Sequence, residues 1–107
     1  MNQHENDRFR RAFGIGRGEL ETLIAFCYAK ERTGQPTTVG FIGALVEQTY
    51  GYHPATTNAY TVRLCRLGLL ERLGRCAGSV LYRCTPRGVQ RVREWRGDFE
   101  RKGAAAE

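Results

Sequence analysis

No apolar run in these 107 residues approaches the roughly 20 needed to cross a bilayer. The opening stretch Met1–Asp7 lacks the basic-then-apolar layout of a secretory signal. The four cysteines, Cys27, Cys65, Cys76 and Cys84, show no CxxC or other zinc-ligand spacing, so no metal site is expected. With no export signal they are expected to be reduced thiols in a cytoplasm, Cys27 and Cys65 serving as small core hydrophobes. No P-loop, GxGxxG, HExxH or GxSxG occurs, and His4 and His53 have no partners at metal-ligand or triad spacing. Nothing here supports an enzyme or a bound cofactor. Acidic residues are scarce as well: 11 against 17 lysines and arginines, for a formal charge of +6.

That charge is unevenly spread. Residues 55–93 carry eight arginines against the single acid Glu71, a net of +7, whereas residues 18–54 are net −2. Positive charge gathered in one contiguous segment is the footprint of a surface that meets phosphate. A solvated basic face in a GC-rich genome would show the same excess of arginine over lysine. The length allows one domain with a modest core, which subunit association would help to stabilise.

Periodicity organises the chain. Residues 1–17 read as an N-terminal arm or short helix with two apolar points, Phe9 and Phe13. Leu20, Leu23, Ile24, Cys27 and Tyr28 recur at three and four, predicting a helix over 18–30 that Gly34 and Pro36 end. Thr37 and Thr38 offer a cap for a second helix over 39–50, with Ile42, Leu45, Val46 and Thr49 inward. Pro54 suits the first position of a third helix over 54–67, with Tyr60, Leu64 and Leu67 inward, stopped by Gly68. The period then changes. Residues 69–73 and 80–84 predict a β-hairpin around a turn at Gly74–Ser79. Centring that turn on Gly78 and Ser79 sets Cys84 opposite about Leu73, so no disulfide to Cys76 is expected. Thr85-Pro86 starts a last helix, and Gly103–Glu107 reads as a frayed tail. The fold class is mainly α with a small β-hairpin, in the order α-α-α-β-β-α of a winged helix-turn-helix.

Two segments carry a resemblance. Leu64-Cys65-Arg66-Leu67-Gly68-Leu69-Leu70-Glu71-Arg72 resembles the LxxxGLhxR passage from recognition helix to wing in bacterial and archaeal winged-helix regulators. Val80-Leu81-Tyr82-Arg83-Cys84-Thr85-Pro86-Arg87-Gly88 looks like the second wing strand and the YxLTxxG helix start of MarR- and PadR-type regulators, and the hairpin also resembles ArsR-type repressors. The likeness spans about residues 37–95 and fits the superfamily rather than one family within it. It implies a sequence-specific double-stranded DNA-binding transcription regulator, most often a repressor, working as a homodimer in the cytoplasm at the nucleoid. The cysteine pair of the ArsR metal site is missing, since only Cys65 lies there. The chain is also shorter than a typical MarR protein, so the ligand pocket of that family is not assured.

On this reading, 18–85 is the DNA-binding unit and 86–107 a C-terminal dimerisation helix with its tail. The third helix enters the major groove, and the wing (69–84) lies on the backbone or minor groove. Asn58 is placed to pair with adenine and Arg63 with guanine. Thr37, Thr38, Thr56, Thr57 and Arg66 are phosphate candidates, and Arg75 and Ser79 lie nearest the wing turn. Arg83 is either a wing contact or a structural strand residue. Val89, Val92, Trp95 and Phe99 form the expected dimerisation stripe, an alternative to a simple cap on the domain's own core. Two other functions stay open: a plasmid or viral factor marking a centromere or origin, and a winged helix used as a protein–protein module, to which Ala59 and Val62 on the outer face are a small pointer.

Overall fold

The computed structural model describes residues 14–106, giving the backbone alone for Cys76 and for residues 98–106. The arm with Phe9 and Phe13 and the side chain of Phe99 lie outside the described residues. The elements are α1 (Arg17–Thr33), β1 (Thr37–Thr38), α2 (Val39–Tyr50), α3 (Pro54–Arg66), β2 (Leu70–Cys76), β3 (Ser79–Cys84) and α4 (Pro86–Ala106). No described helix is long and apolar enough to cross a membrane.

Each helix begins and ends for a local reason. Glu19 reaches back to accept the Gly16 N–H at 3.1 Å, satisfying a donor at the start of α1. Gly34, at φ 70°, closes that helix in the left-handed conformation by donating to the Lys30 carbonyl. Thr38 caps α2 by accepting from the Phe41 N–H at 3.2 Å. At the head of α4, Thr85 Oγ1 accepts the Gly88 N–H at 3.1 Å and donates to the Gly68 carbonyl at 2.7 Å. That one hydroxyl ties the start of α4 to the end of α3.

Thr37 and Thr38 do more than cap. They form a third strand, pairing with Tyr82 and Leu81, and the antiparallel sheet runs β1-β3-β2. Two residues are too few to show an alternating period, which is why the sequence does not reveal this strand. The hairpin turn is Ala77–Gly78, with φ 52° and 83°, one residue earlier than expected. A bulge between Arg72 and Gly74 leaves Leu73 unpaired, and the two shifts together set Cys84 opposite Leu70 instead of Leu73.

The core gathers Leu20, Leu23 and Phe26 of α1, Ile42 and Val46 of α2, Leu64 of α3, and Leu69, Leu70 and Tyr82 around the sheet. Phe26 meets Tyr82 edge-on with ring centres 5.9 Å apart. Tyr28, expected inward, is exposed under the Arg32 guanidinium, and Thr49 is exposed too. Val92, expected at a dimer face, is buried in its own subunit at 5 % exposure, with Val89 and Trp95 packed against the same core. Of the predicted stripe of α4, Val89, Val92 and Trp95 thus pack on their own domain. The helix also continues through Ala106 where a frayed tail was expected, because the alanines 104–106 are strong helix formers.

The cysteines depart furthest from expectation. Cys27 of α1 and Cys84 of β3 form a disulfide, with Cα atoms 5.9 Å apart and 57 positions apart in sequence. Cys65 is a free thiol, and burial pushes its pKa up.

The α2–α3 turn is held on α1 by three tyrosines. Tyr52 stacks on Tyr50 and meets Tyr60 edge-on, with centroids 6.1 and 6.0 Å away. The Tyr52 hydroxyl donates to Glu21 Oε1 at 2.8 Å. Burial, then this hydrogen bond and the charge of Glu21, push the Tyr52 pKa up to about 12. Because the folded chain holds that proton more tightly than the unfolded one, the stabilisation is complete below about pH 10 and is lost as pH rises towards 12. Alkaline denaturation followed by circular dichroism is expected to show this loss in the native protein and a shallower one in Tyr52→Phe.

Candidate nucleic-acid interface

The arrangement of α2, a tight turn and α3 presents one helix face outward. Pro54 opens α3, and the preceding His53 caps it, Nδ1 accepting from the Ala55 N–H at 3.1 Å. Thr57, Thr61 and Leu64 turn fully inward, so the buried stripe is rotated from the expected Tyr60-Leu64-Leu67 line. Tyr60 is half-buried against Gly18, where a Cβ would come within 2.6 Å of its ring. This inward turn removes Thr57 from the phosphate candidates: the side chain has no exposed surface, and Oγ1 has no hydrogen-bond partner among the described residues. Asn58, Ala59, Val62, Arg63 and Arg66 face solvent, and Thr56 is half-buried.

Arg63 is half-exposed and paired within the fold. Its Nε lies 3.0 Å from Glu19 Oε1, a carboxylate only 4 % exposed. The pair clamps α3 to the start of α1. The Gly16-x-x-Glu19 spacing is a capping signal legible in sequence, but nothing in sequence points from Glu19 to Arg63 across 44 residues.

Gly68, at φ 75°, turns the chain from α3 directly into β2. Across the hairpin, Arg83 Nε donates to Glu71 Oε2 at 2.9 Å and its Nη2 lies 2.7 Å from the same oxygen, a half-exposed pair between the two strands. Arg75 and Ser79 flank the Ala77–Gly78 turn and are exposed. Among the described residues no ion pair engages Arg66, Arg72 or Arg75. Thr37 and Thr38 are half-buried in β1, and the Thr38 hydroxyl, used as a cap acceptor, keeps its hydrogen to donate. The described residues contain no group of three His, Cys, Asp or Glu able to hold a metal.

No family model and no curated protein matches the chain. Solved structures do. A point mutant of Staphylococcus aureus MepR bound to an oligodeoxyribonucleotide aligns with a TM-score of 0.72 at 17 % identity, over 97 % of this chain and 72 % of that one. The MarR family transcription regulator SP03579 aligns at 0.74 and 23 % identity, over 95 % of this chain and 63 % of that one. The S. aureus MepR–DNA complex aligns at 0.67 and 18 % identity, over 97 % of this chain and 70 % of that one.

The chain has the winged-helix fold.

In that fold α3 is the second helix of the helix-turn-helix, and β2–β3 is the hairpin that follows it. The exposed arginines of the two are joined by one rigid connection, since the Leu69 N–H donates to the Leu64 carbonyl at 3.0 Å and its carbonyl accepts from Thr85. A groove of about 280 Å³ opens between α1 and α4 beside the disulfide, with Lys30, Glu31, Val89, Arg93 and Arg96 in its walls.

Proposed function

We propose that this protein is a sequence-specific double-stranded DNA-binding transcription regulator. The observation that carries this reading is the set of exposed, unpaired arginines, Arg66, Arg72 and Arg75, on the recognition-helix end and wing of a fold shared with a regulator solved on DNA. On this proposal α3 lies in the major groove, and Asn58 meets a base edge near the start of the helix. Thr37, Thr38, Thr56 and Arg66 take phosphates around it, while Arg75 and Ser79 at the wing turn follow the backbone or minor groove. Repression by occupying an operator, in the cytoplasm at the nucleoid, belongs to the same proposal. So does a homodimer, which would use the outer part of α4 that includes Phe99, the buried Val92 being committed to the core. A two-fold axis would then require palindromic half-sites.

Salt dependence tests the reading. Three arginines on phosphates predict a log–log slope of about −2.7 per subunit, or an affinity loss of about 40-fold per subunit between 50 and 200 mM salt. Arg75→Ala is expected to remove about one unit of that slope for every duplex alike. Anisotropy titrations showing no duplex binding at 50 mM salt would sink the proposal.

A further inference from the structure

The Arg63–Glu19 pair changes what the outer face of α3 can read. Moving the guanidinium to a base edge would break its 3.0 Å contact with a carboxylate that is only 4 % exposed, and separating such a pair is unfavourable. Arg66 stands in the last turn of α3, beside the connection to the wing, where backbone phosphate is the nearer target. The middle of the exposed face is therefore Asn58, Ala59 and Val62, with Val62 40 % exposed. Positions i, i+1 and i+4 lie together on one side of a helix.

The chemistry of these three is narrow. A side-chain amide pairs bidentately with adenine N6 and N7. Alanine and valine have no donor or acceptor, and the one apolar group in the major groove is the thymine C5 methyl. Set against a G·C pair, they would desolvate guanine O6 and N7 and cytosine N4 without replacing any hydrogen bond, which selects against those bases.

Resting on the DNA-binding reading above, we propose that the outer face of α3 reads adjacent A·T pairs, with Asn58 on adenine and Ala59 and Val62 on thymine methyls, while Arg63 is a positioning residue held by Glu19. Exposed apolar residues on a recognition helix, a small pointer to protein docking when seen in sequence, become base readers.

Selection of the full chain on a random duplex library at 50 mM salt, followed by anisotropy on the enriched duplex, tests this. Adjacent A·T pairs are expected in each half-site. Replacing a contacted thymine by deoxyuridine, which deletes only the methyl, is expected to weaken binding about fourfold, the worth of one buried methyl-sized group. Val62→Ala should abolish most of that difference, and Asn58→Ala should relax the adenine preference. Arg63→Lys, which keeps a cation for Glu19, is expected to retain the same base preference. Arg63→Ala should lower the melting temperature and weaken all duplexes alike without changing the preference. An enriched guanine whose selection disappears in Arg63→Lys or Arg63→Ala would overturn the proposal, as would indifference to deoxyuridine. Salt-dependent binding with no enrichment overturns base reading by α3 but leaves the DNA-binding reading standing. Absence of all binding by the folded protein overturns that reading itself.

Discussion

Opening the Cys27–Cys84 bond is expected to lower the melting temperature of this protein by about 15 °C, the equivalent of roughly 3 kcal/mol for a domain of this size. The magnitude follows from the length of chain the bond closes. A separation of 57 residues removes about 4 kcal/mol of loop-closure entropy from the unfolded state, an upper figure since measured bonds usually deliver about 2–4. Against a net domain stability of about 5–15 kcal/mol this is a large share. Thermal unfolding in the presence and absence of a dithiol reductant measures it directly. The double variant Cys27→Ala with Cys84→Ala should match the reduced protein and ignore the reductant, whereas Cys65→Ala should keep the full response. Equal melting temperatures in both conditions would contradict the assignment. In a reducing cytosol, where such bonds are rare outside hyperthermophiles, the reduced value is the working stability.

Gly88→Ala is expected to destabilise the fold by about 3 kcal/mol, although alanine is the better helix former by about 1 kcal/mol. A Cβ at this position would overlap the Leu69 carbonyl oxygen and stand 3.3 Å from Leu23 Cδ1. The first turn of α4 cannot retreat from that contact. Thr85 donates its N–H to the same Leu69 carbonyl at 3.1 Å and its hydroxyl to Gly68, so relief of the clash would break the junction between α3, wing and α4. Backbone against backbone leaves no flexible side chain to yield. Gly97→Ala on the same helix is the control: nothing among the described residues lies within 4 Å of its Cβ, so propensity decides and a gain of up to about 1 kcal/mol is expected. Urea denaturation of the two variants should therefore give opposite signs. A neutral Gly88→Ala would show that the junction is looser than its geometry.

Several elements were legible in sequence for one shared reason: their signals are local. The α2 span, the Pro54 start of α3, the Thr85-Pro86 start of α4 and the Gly88 of the YxLTxxG resemblance each depend on residues within four positions of one another. Charge is legible in the same way, and the net +7 of residues 55–93 includes the exposed arginines of α3 and the β2–β3 hairpin. What periodicity misplaced was rotation. The inward line of α3 expected from spacing runs through Tyr60 and Leu67, but two threonines, Thr57 and Thr61, fill the interior. They are small, and Thr61 satisfies its hydroxyl on the Thr57 carbonyl at 2.8 Å, so that polar residue occupies a core position at little cost, whereas the Thr57 hydroxyl is buried without a partner among the described residues.

By itself, then, the sequence determined the order of helices and hairpin, several of their caps and stops, and the basic segment over residues 55–93. Tertiary structure alone decided the pairings between distant residues: Cys27 with Cys84, Glu19 with Arg63, β1 with β3, and Val92 with its own core. The physical reason is that local backbone preferences act over one or two turns of chain. Contacts between residues far apart in sequence depend on how packed elements meet, and no spacing along the chain records that. Two of these pairings bear on function. One takes an arginine expected to read guanine and gives it to a buried carboxylate; the other binds the root of the wing to the helix behind it.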